Sequence, residues 1–293
     1  MHRSGFVNII GNPNVGNSTL LNALLGENLS IITSKAQTTR HRIMGIVSGE
    51  DFQIVYSDTP GILKPSYKLQ ESMMKFVTGA LTDADVILYV TDTVEQSERS
   101  AEIVDSIRRS GIPTVVVINK IDLSTPEALE ALVDKWQAEI PGAQVVPTSA
   151  KENFNIEGLF RTILSLLPEG PAFYPKDTLT DKTLRFFASE IIREKILKFY
   201  DKEIPYCCEI EIESYKEEPT IDRIAATIYV ARDSQKGILI GHKGEKLKRV
   251  GQTAREDMEQ FLGKKVFLQL FVKVSDDWRN NERQLRRFGY EQE

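Results

Sequence analysis

Cysteine is nearly absent from this 293-residue chain, and the only two, Cys207 and Cys208, are neighbours. Adjacent side chains on an extended strand point to opposite faces, so a disulfide between them would be strained. With no CxxC pair and three histidines in all, the sequence offers no zinc cluster, and a reduced, cytosolic chain is the simplest reading. Nowhere do 18 apolar residues follow one another, which excludes a membrane-spanning helix. The apolar run near the N-terminus is broken by Asn8 and then Asn12, which argues against a signal peptide or anchor. An excess of basic charge is missing too: the net charge is −5, which excludes a uniformly basic coat for nucleic acid. No histidine or cysteine belongs to a nucleophilic constellation.

What is present is an ordinary globular composition, 41% hydrophobic and 27% charged, over a length that predicts two domains. The charge is uneven. Residues 1–180 carry 15 Lys and Arg against 21 Asp and Glu, net −6, whereas residues 181–293 carry 22 against 21, net +1. Apolar runs of strand length (6–10, 52–56, 86–90, 114–118 and 144–146) alternate with helical spacing over 19–25, 69–81, 97–110, 127–140 and 155–167. Continuous apolar strands between amphipathic helices predict a parallel sheet covered on both faces. Pro168-Glu169-Gly170-Pro171 then closes the last helix and predicts a linker over 171–183 between a first domain, 1–170, and a second, 184–293. The second domain reads α-β-β-α-α-β: helix 184–199, strands 207–214 and 223–230, helices near 234–240 and 244–262, and strand 265–274. That grouping predicts helices on one face of a three-stranded sheet.

The first strand runs into Gly11-Asn12-Pro13-Asn14-Val15-Gly16-Asn17-Ser18, and a helix follows at Thr19. The spacing fits the phosphate-binding pattern GxxxxGK[ST] at every position except the lysine, which is Asn17. The glycines allow backbone N–H groups to turn toward a phosphate, the helix N-terminus adds its positive end, and Ser18 offers a hydroxyl to Mg²⁺. A glycine-rich strand-to-helix turn without nucleotide is the competing reading, and later motifs decide against it. Asp58-Thr59-Pro60-Gly61 follows a buried-type strand, where Asp58 would hold Mg²⁺ and the Gly61 amide would sense a γ-phosphate. Asn119-Lys120-Ile121-Asp122 follows the fourth run. A carboxylate at Asp122 can accept from guanine N1 and the 2-amino group, whereas adenine would leave that buried carboxylate unpaired. Ser149-Ala150-Lys151 follows the fifth run, where a backbone amide can reach guanine O6. Four motifs in this order, each after a strand, predict a guanine-nucleotide site.

Between the first helix and the next strand lies Thr33-Ser34-Lys35-Ala36-Gln37-Thr38-Thr39-Arg40-His41-Arg42, a polar, threonine-rich loop of the kind whose threonine ligates Mg²⁺ only with γ-phosphate present. Thr39 is the first choice and Thr38 the near alternative; a solvated basic loop is the plain reading. Ile62 follows Asp58–Gly61 where many GTPases carry a water-orienting glutamine, so any hydrolysis is expected to be slow or to rely on another group or ion. In the second domain, Ile240-Gly241-His242-Lys243-Gly244 fits a GxxG loop, whose glycines let backbone approach nucleic-acid phosphates. Lys236, Lys246, Lys248 and Arg249 surround it, and a groove for about four single-stranded nucleotides is expected. A plain helix–helix turn is the competing reading. The tail, Trp278 through Tyr290, fits either RNA stacking or a helix packing Trp278 and Leu285 on its own domain.

With these motifs together the chain resembles the Era family of GTPases over essentially its full length, the most specific signature being Lys35–Arg42 combined with a C-terminal GxxG loop. The resemblance implies a doubly wound, mostly parallel α/β P-loop domain followed by an α+β type II KH domain. It implies a GTP-hydrolysing switch, with Mg²⁺ and GTP or GDP as ligands, that binds the 3′ region of 16S ribosomal RNA and assists maturation of the 30S subunit. It also implies a monomer in the cytoplasm with peripheral association at the inner membrane. Asn14 matches the position through which related GTPases use a potassium ion, so potassium stimulation is implied, and Asn14, Thr39 and Gly61 are the expected catalytic positions. Asn17 departs from the family's lysine. Losing one charge-assisted bond to phosphate costs about 1.5–3 kcal/mol, so weak nucleotide binding and poor hydrolysis are expected. The alternative is a nucleotide-independent RNA-binding assembly factor whose first domain serves as a docking module. An ATP-using P-loop enzyme is disfavoured by Asn119 and Asp122.

Overall fold

The computed structural model describes residues 2–94 and 101–290. The chain divides into two compact units, residues 1–65 with 73–181, and residues 66–72 with 182–293.

The first unit is built on six strands: β1 (Arg3–Gly11), β2 (Ile43–Ser48), β3 (Phe52–Asp58), β4 (Val86–Asp92), β5 (Thr114–Asn119) and β6 (Gln144–Pro147). They lie in the order β2-β3-β1-β4-β5-β6, with β2 antiparallel to β3 and every other pair parallel. Five of these strands follow the expected apolar runs. The edge strand β2 was not foreseen. Its run is interrupted by Gly45, and the structure gives the reason for that glycine: a Cβ there would lie 2.5 Å from the Leu25 side chain.

Helices α1 (Asn17–Leu25), α2 (Lys68–Thr82, of which residues 73–82 belong to this unit), α3 (Ala101–Ser110), α4 (Pro126–Glu139) and α5 (Ile156–Leu166) complete the alternation. Positions 97–100 of the expected third helix lie outside the described residues. β4 and β5 are buried along their whole length because helices cover both faces of the sheet. Val7, Leu21, Leu88, Val117, Leu159 and Ile163 fill one side, and Ile10, Val77, Tyr89, Ile107, Ile118 and Trp136 fill the other. The parallel strands therefore deliver all their C-terminal ends to one edge, where the connecting loops gather into a cleft.

The expected linker is corrected. Residues 171–181 are paired to the first unit. Buried Gln53 on β3 accepts from the backbone N–H groups of Phe173 and Tyr174 at 2.7 and 2.9 Å and donates to the Tyr174 carbonyl at 2.8 Å. Ile46 N–H donates to Leu179 O, and Met44 N–H donates to Asp181. The proline and glycine at 170–171 mark a turn into a segment that covers β2 and β3, and the boundary between units falls after Asp181.

The second unit contains α6 (Leu184–Phe199), α7 (Ile204–Cys207), β7 (Glu209–Glu217), β8 (Ile221–Val230), α8 (Asp233–Ile240), α9 (Glu245–Leu262), β9 (Lys265–Val274) and α10 (Glu282–Arg287). The sheet order is β7-β8-β9, antiparallel then parallel. This is the expected α-β-β-α-α-β order with two short additions, the single turn α7, which carries Cys207 off the strand, and α10 in the tail. Both cysteines are fully buried and neither is in a disulfide. Thr183 caps α6 by accepting from Phe186 N–H. Ile192, Ile196, Ile224, Ile228, Val250 and Ala254 close the core. The tail packs rather than projects: Trp278, Leu285 and Tyr290 are buried, and the Trp278 indole N–H donates to Cys207 O at 2.9 Å.

Candidate functional site

At the C-terminal edge of the first sheet, β1 ends at Gly11 because nothing larger fits. A Cβ there would stand 2.4 Å from the Val90 carbonyl and 2.8 Å from Asn17 Oδ1. The loop then turns through left-handed backbone at Asn14 (φ 68°) and Gly16 (φ 104°) before α1 begins. A Cβ on Gly16 would collide with the Asn119 amide at 2.3 Å, so this glycine lets β5 and the phosphate loop meet. The Asn119 side chain clamps them, donating to Val15 O at 2.9 Å and accepting from Ala150 N–H at 3.0 Å.

Two connected cavities share Gly16, Thr19, Ile32 and Lys120. One, about 360 Å³, is lined by Asn12, Pro13, Asn14, Asn17, Ser18, residues 31–39, Thr59 and Gly61. The other, about 770 Å³, is lined by Asn119, Asp122, Leu123, Ser149, Ala150, Lys151 and Asn153, with the end of α1. Gly11, Val15 and Pro60 line neither cavity, and Asp58 lies beneath the first.

In the smaller cavity three oxygens meet. Ser18 Oγ donates to Asp58 Oδ2 at 2.7 Å and lies 2.9 Å from Thr39 Oγ1, and Thr39 Oγ1 donates to the same carboxylate oxygen at 3.3 Å. Thr38 instead bonds Thr33 and the Lys35 carbonyl, both at 2.6 Å. Asp58 is fully buried, and burial pushes its carboxyl up to about 6 although the Ser18 and Thr39 hydroxyls hold it down. Its Oδ1 finds no hydrogen-bond partner among the described residues. A buried carboxylate with a free oxygen, flanked by two hydroxyls, is the donor set a magnesium ion takes, so these residues fit that ion. Asn17 Oδ1 is likewise buried without a partner among the described residues. The short amide lies against Gly11, and it supplies no positive charge to the cavity.

Gly61 packs on Pro13, where a Cβ would come within 2.9 Å of its backbone. Ile62 N–H donates to Gly11 O at 3.0 Å, and its side chain is 4% exposed in the core. Position 62 therefore faces away from the cavity. Thr59 Oγ1 donates to Ile9 O at 2.9 Å and fixes this turn to β1.

The larger cavity is organised by hydrogen bonds among its own loops. Ser149 Oγ donates to Asp122 Oδ1 at 2.6 Å. Lys120, in left-handed backbone, donates to Asn14 O at 2.5 Å and to Asp92 Oδ2 at 2.6 Å. Asp122 corrects the expectation of a buried carboxylate: it is exposed, and a base stacked in the cavity is what would take it out of water. Lys151 is exposed and pairs with Glu152. Asp92 escaped the sequence reading, although its place at the end of an apolar strand was the available signal. Asn22 escaped it too: from α1 it accepts from Leu29 and Ser30 N–H and donates to Ser30 O, anchoring the start of the 31–39 segment.

In the second unit, Gly241 (φ 75°) ends α8 and Gly244 (φ 80°) starts α9, with Lys243 also left-handed between them. His242 and Lys243 are exposed. Beside the loop runs a groove of about 420 Å³ lined by Gly244, Leu247, Lys248, Gly251, Gln252 and Arg255, with Leu268 and Leu270 of β9 as its apolar wall. Of the expected basic residues, Lys246 lies over the Tyr200 ring and Arg249 over the Phe199 ring, 5.9 and 4.1 Å from the centroids. Neither lines the groove, nor do Lys236 and Ile240. Arg255 and the apolar wall were missed because they become neighbours only when α9 packs on β9.

Comparison with known proteins agrees with both halves. A family model described as 50S ribosome-binding GTPase matches residues 6–120, and one for the KH domain matches 203–279. GTPase Era of Staphylococcus haemolyticus (strain JCSC1435) is 44% identical over 291 residues, spanning 99% of this chain and 97% of its own. Among solved structures, Era in complex with MgGDPNP and nucleotides 1506–1542 of 16S ribosomal RNA superposes with a TM-score of 0.96 at 40% identity, covering both chains fully. An Aquifex aeolicus Era point variant bound to GDP·AlF4⁻ gives 0.95 at 40% identity over 99% of this chain and all of its own. With this agreement along its whole length, the chain belongs to the Era family of GTPases, a P-loop GTPase domain followed by a KH domain.

Proposed function

We propose that this chain is a guanine-nucleotide switch that binds single-stranded RNA of the 16S 3′ region and assists assembly of the small ribosomal subunit, with its nucleotide step weakened by Asn17. The observation that carries the reading is the meeting of Ser18, Thr39 and Asp58 beside a cavity whose far end presents Asp122, held by Ser149 Oγ. A relative 40% identical over its full length was solved with MgGDPNP and a 16S fragment, which supports extending both ligands to this chain. Magnesium bound there would offset phosphate charge and orient the terminal phosphate. Ser18 and Thr39 would ligate it, Asp58 would hold it in place, Gly61 would admit the phosphate close to the backbone, and Asn119 would keep the loop and the base end in register. Residues 241–244 and the groove along α9 would take the RNA, with Lys243, Lys248 and Arg255 supplying charge and Leu268 and Leu270 the apolar contact.

Asn17 limits the chemistry, because the amide cannot neutralise charge that grows on the leaving oxygen during hydrolysis. Ile62 adds nothing, so turnover depends on the metal and, by extension from the family, on potassium at Asn14. The monomeric state and peripheral contact with the inner membrane belong to the same extension. A second reading, nucleotide-independent RNA binding, draws its support from the unpartnered Asn17 oxygen in the phosphate cavity.

Fluorescence anisotropy of a labelled RNA from the 16S 3′ end, measured with saturating GDP and then GDPNP, separates the two. The switch requires RNA affinity to differ severalfold between nucleotides. Equal affinities would favour the second reading, and no RNA binding in either condition would remove both.

A further inference from the structure

Asn8 is a polar residue fully buried in the central strand β1, a place where parallel sheets carry apolar side chains. Nothing in the nucleotide cavity uses it. Its amide donates to Ala80 O at 2.6 Å and to Asp83 Oδ1 at 2.7 Å, both at the C-terminal end of α2. Its Oδ1 accepts from Arg42, the last residue of the Lys35–Arg42 signature, at 3.2 Å.

Arg42 spends the rest of its guanidinium on the same cluster. Two N–H groups donate to the two Asp83 oxygens at 2.5 and 3.0 Å, and Nε donates to Ser57 Oγ at 2.6 Å. Its side chain is only 10% exposed. One side chain thus ties three parts together: the segment bearing Thr39 three residues upstream, the strand position immediately before Asp58, and the end of α2. A second contact runs in parallel, with His41 against Phe76 of α2 at a ring separation of 6.2 Å. The fork geometry matters. A planar guanidinium can meet a carboxylate with two parallel bonds and still reach two further acceptors, whereas an ammonium cannot hold all four in fixed directions.

We propose that Arg42 is a positioning residue that makes the ordering of residues 33–42 and the placement of the C-terminal half of α2 a single event. A γ-phosphate that draws Thr39 into the metal cluster would then move or lock α2 through Arg42, without Arg42 touching the nucleotide. The inference rests on the nucleotide reading above for its biological direction, but the mechanical link can be measured without nucleotide.

The test compares the full chain with Arg42→Ala, Arg42→Lys and Asp83→Ala, each also built on Asn17→Lys so that nucleotide binding is secure. Hydrogen exchange of residues 33–42 and 76–83 is followed first without nucleotide. Arg42→Ala should accelerate both segments together, Asp83→Ala should reproduce this, and Arg42→Lys should restore protection only in part. On the Asn17→Lys chain, Arg42→Ala should weaken GDPNP about five- to tenfold, the loss of roughly one net hydrogen bond, while GDP stays within about twofold. A merely structural role predicts equal losses for both nucleotides, and that result would overturn the proposal. Acceleration confined to one segment would overturn it as well. If the Asn17→Lys parent binds no guanine nucleotide, the nucleotide reading falls, and the exchange data alone decide whether the link exists.

Discussion

The two ends of the nucleotide cavity differ in how finished they are. At the base end, each motif residue of the Asn119–Asp122 and Ser149–Lys151 loops apart from exposed Lys151 is anchored. Asn119 bridges Val15 and Ala150, Lys120 joins Asn14 to Asp92, and Ser149 aims Asp122. At the phosphate end, two buried oxygens, on Asn17 and Asp58, find no partner among the described residues. The base end is tied by side-chain hydrogen bonds between its loops. The phosphate end is a cluster of oxygens, and Asn17, where the P-loop pattern has lysine, brings no charge to it. Selectivity and affinity should therefore be separable in this protein, with base selection unchanged by what stands at position 17.

The largest expected effect breaks the base end. Asp122→Ala removes two charge-assisted bonds to guanine, about 3–6 kcal/mol in sum, so GDP affinity should fall by a hundredfold or more and the preference for GDP over ADP should collapse. Competition of the two nucleotides against a fluorescent guanine nucleotide checks this. A preference that survives would place guanine selection elsewhere.

A somewhat smaller effect probes the phosphate end through pH. Burial raises the Asp58 carboxyl to about 6, above its value in the unfolded chain, so folding favours its protonated form. The contribution of Asp58 to stability is thus fully present below its unfolded value near 4 and is lost as pH rises through about 6. Without metal, the stability of the chain relative to Asp58→Asn should fall between pH 4.5 and 7, by at most about 3 kcal/mol for a shift of two units. Magnesium with GDP should remove the fall. Thermal melts of both proteins across that range, with and without Mg²⁺–GDP, read it directly.

Ile62→Gln sharpens the comparison from the core side. The side chain points away from the phosphates, so a glutamine there should bury an amide, cost about 1–3 kcal/mol of stability, and give no gain in hydrolysis. Chemical denaturation alongside a phosphate-release assay tests both halves. The smallest effect lies in the other unit, where Lys248→Ala should weaken single-stranded RNA severalfold and reduce the salt slope by about 0.7. Arg249→Ala, stacked on Phe199 outside the groove, should do less.

Much of this was legible in the sequence because it was local. Phosphate-loop glycines, a carboxylate after a strand and an apolar run between turns are encoded within a few residues, and β1, β3 to β6, α6 and β9 follow from them. The features that were not legible are those fixed by distant packing. Strand β2 was hidden by Gly45, whose role is set by Leu25 on α1. Residues 171–181 read as linker because their partner, Gln53, is more than a hundred positions away. The interruption at Asn8 was visible, but its meaning needed Arg42 and Asp83, brought to it by the sheet and α2. In the second unit, the glycines of 241–244 were legible and the groove beside them was not, because α9 supplies one wall and β9 the other.

The most direct test of an intact base end beside a charge-deficient phosphate end is titration of fluorescent GDP and GDPNP, with Mg²⁺ and K⁺, into this chain and Asn17→Lys, with ADP as competitor. The account predicts that both proteins reject ADP alike, while the lysine variant binds guanine nucleotides about ten- to a hundredfold more tightly and gains turnover. Equal guanine affinities in the two proteins, or failure of this chain to tell GDP from ADP, would contradict it.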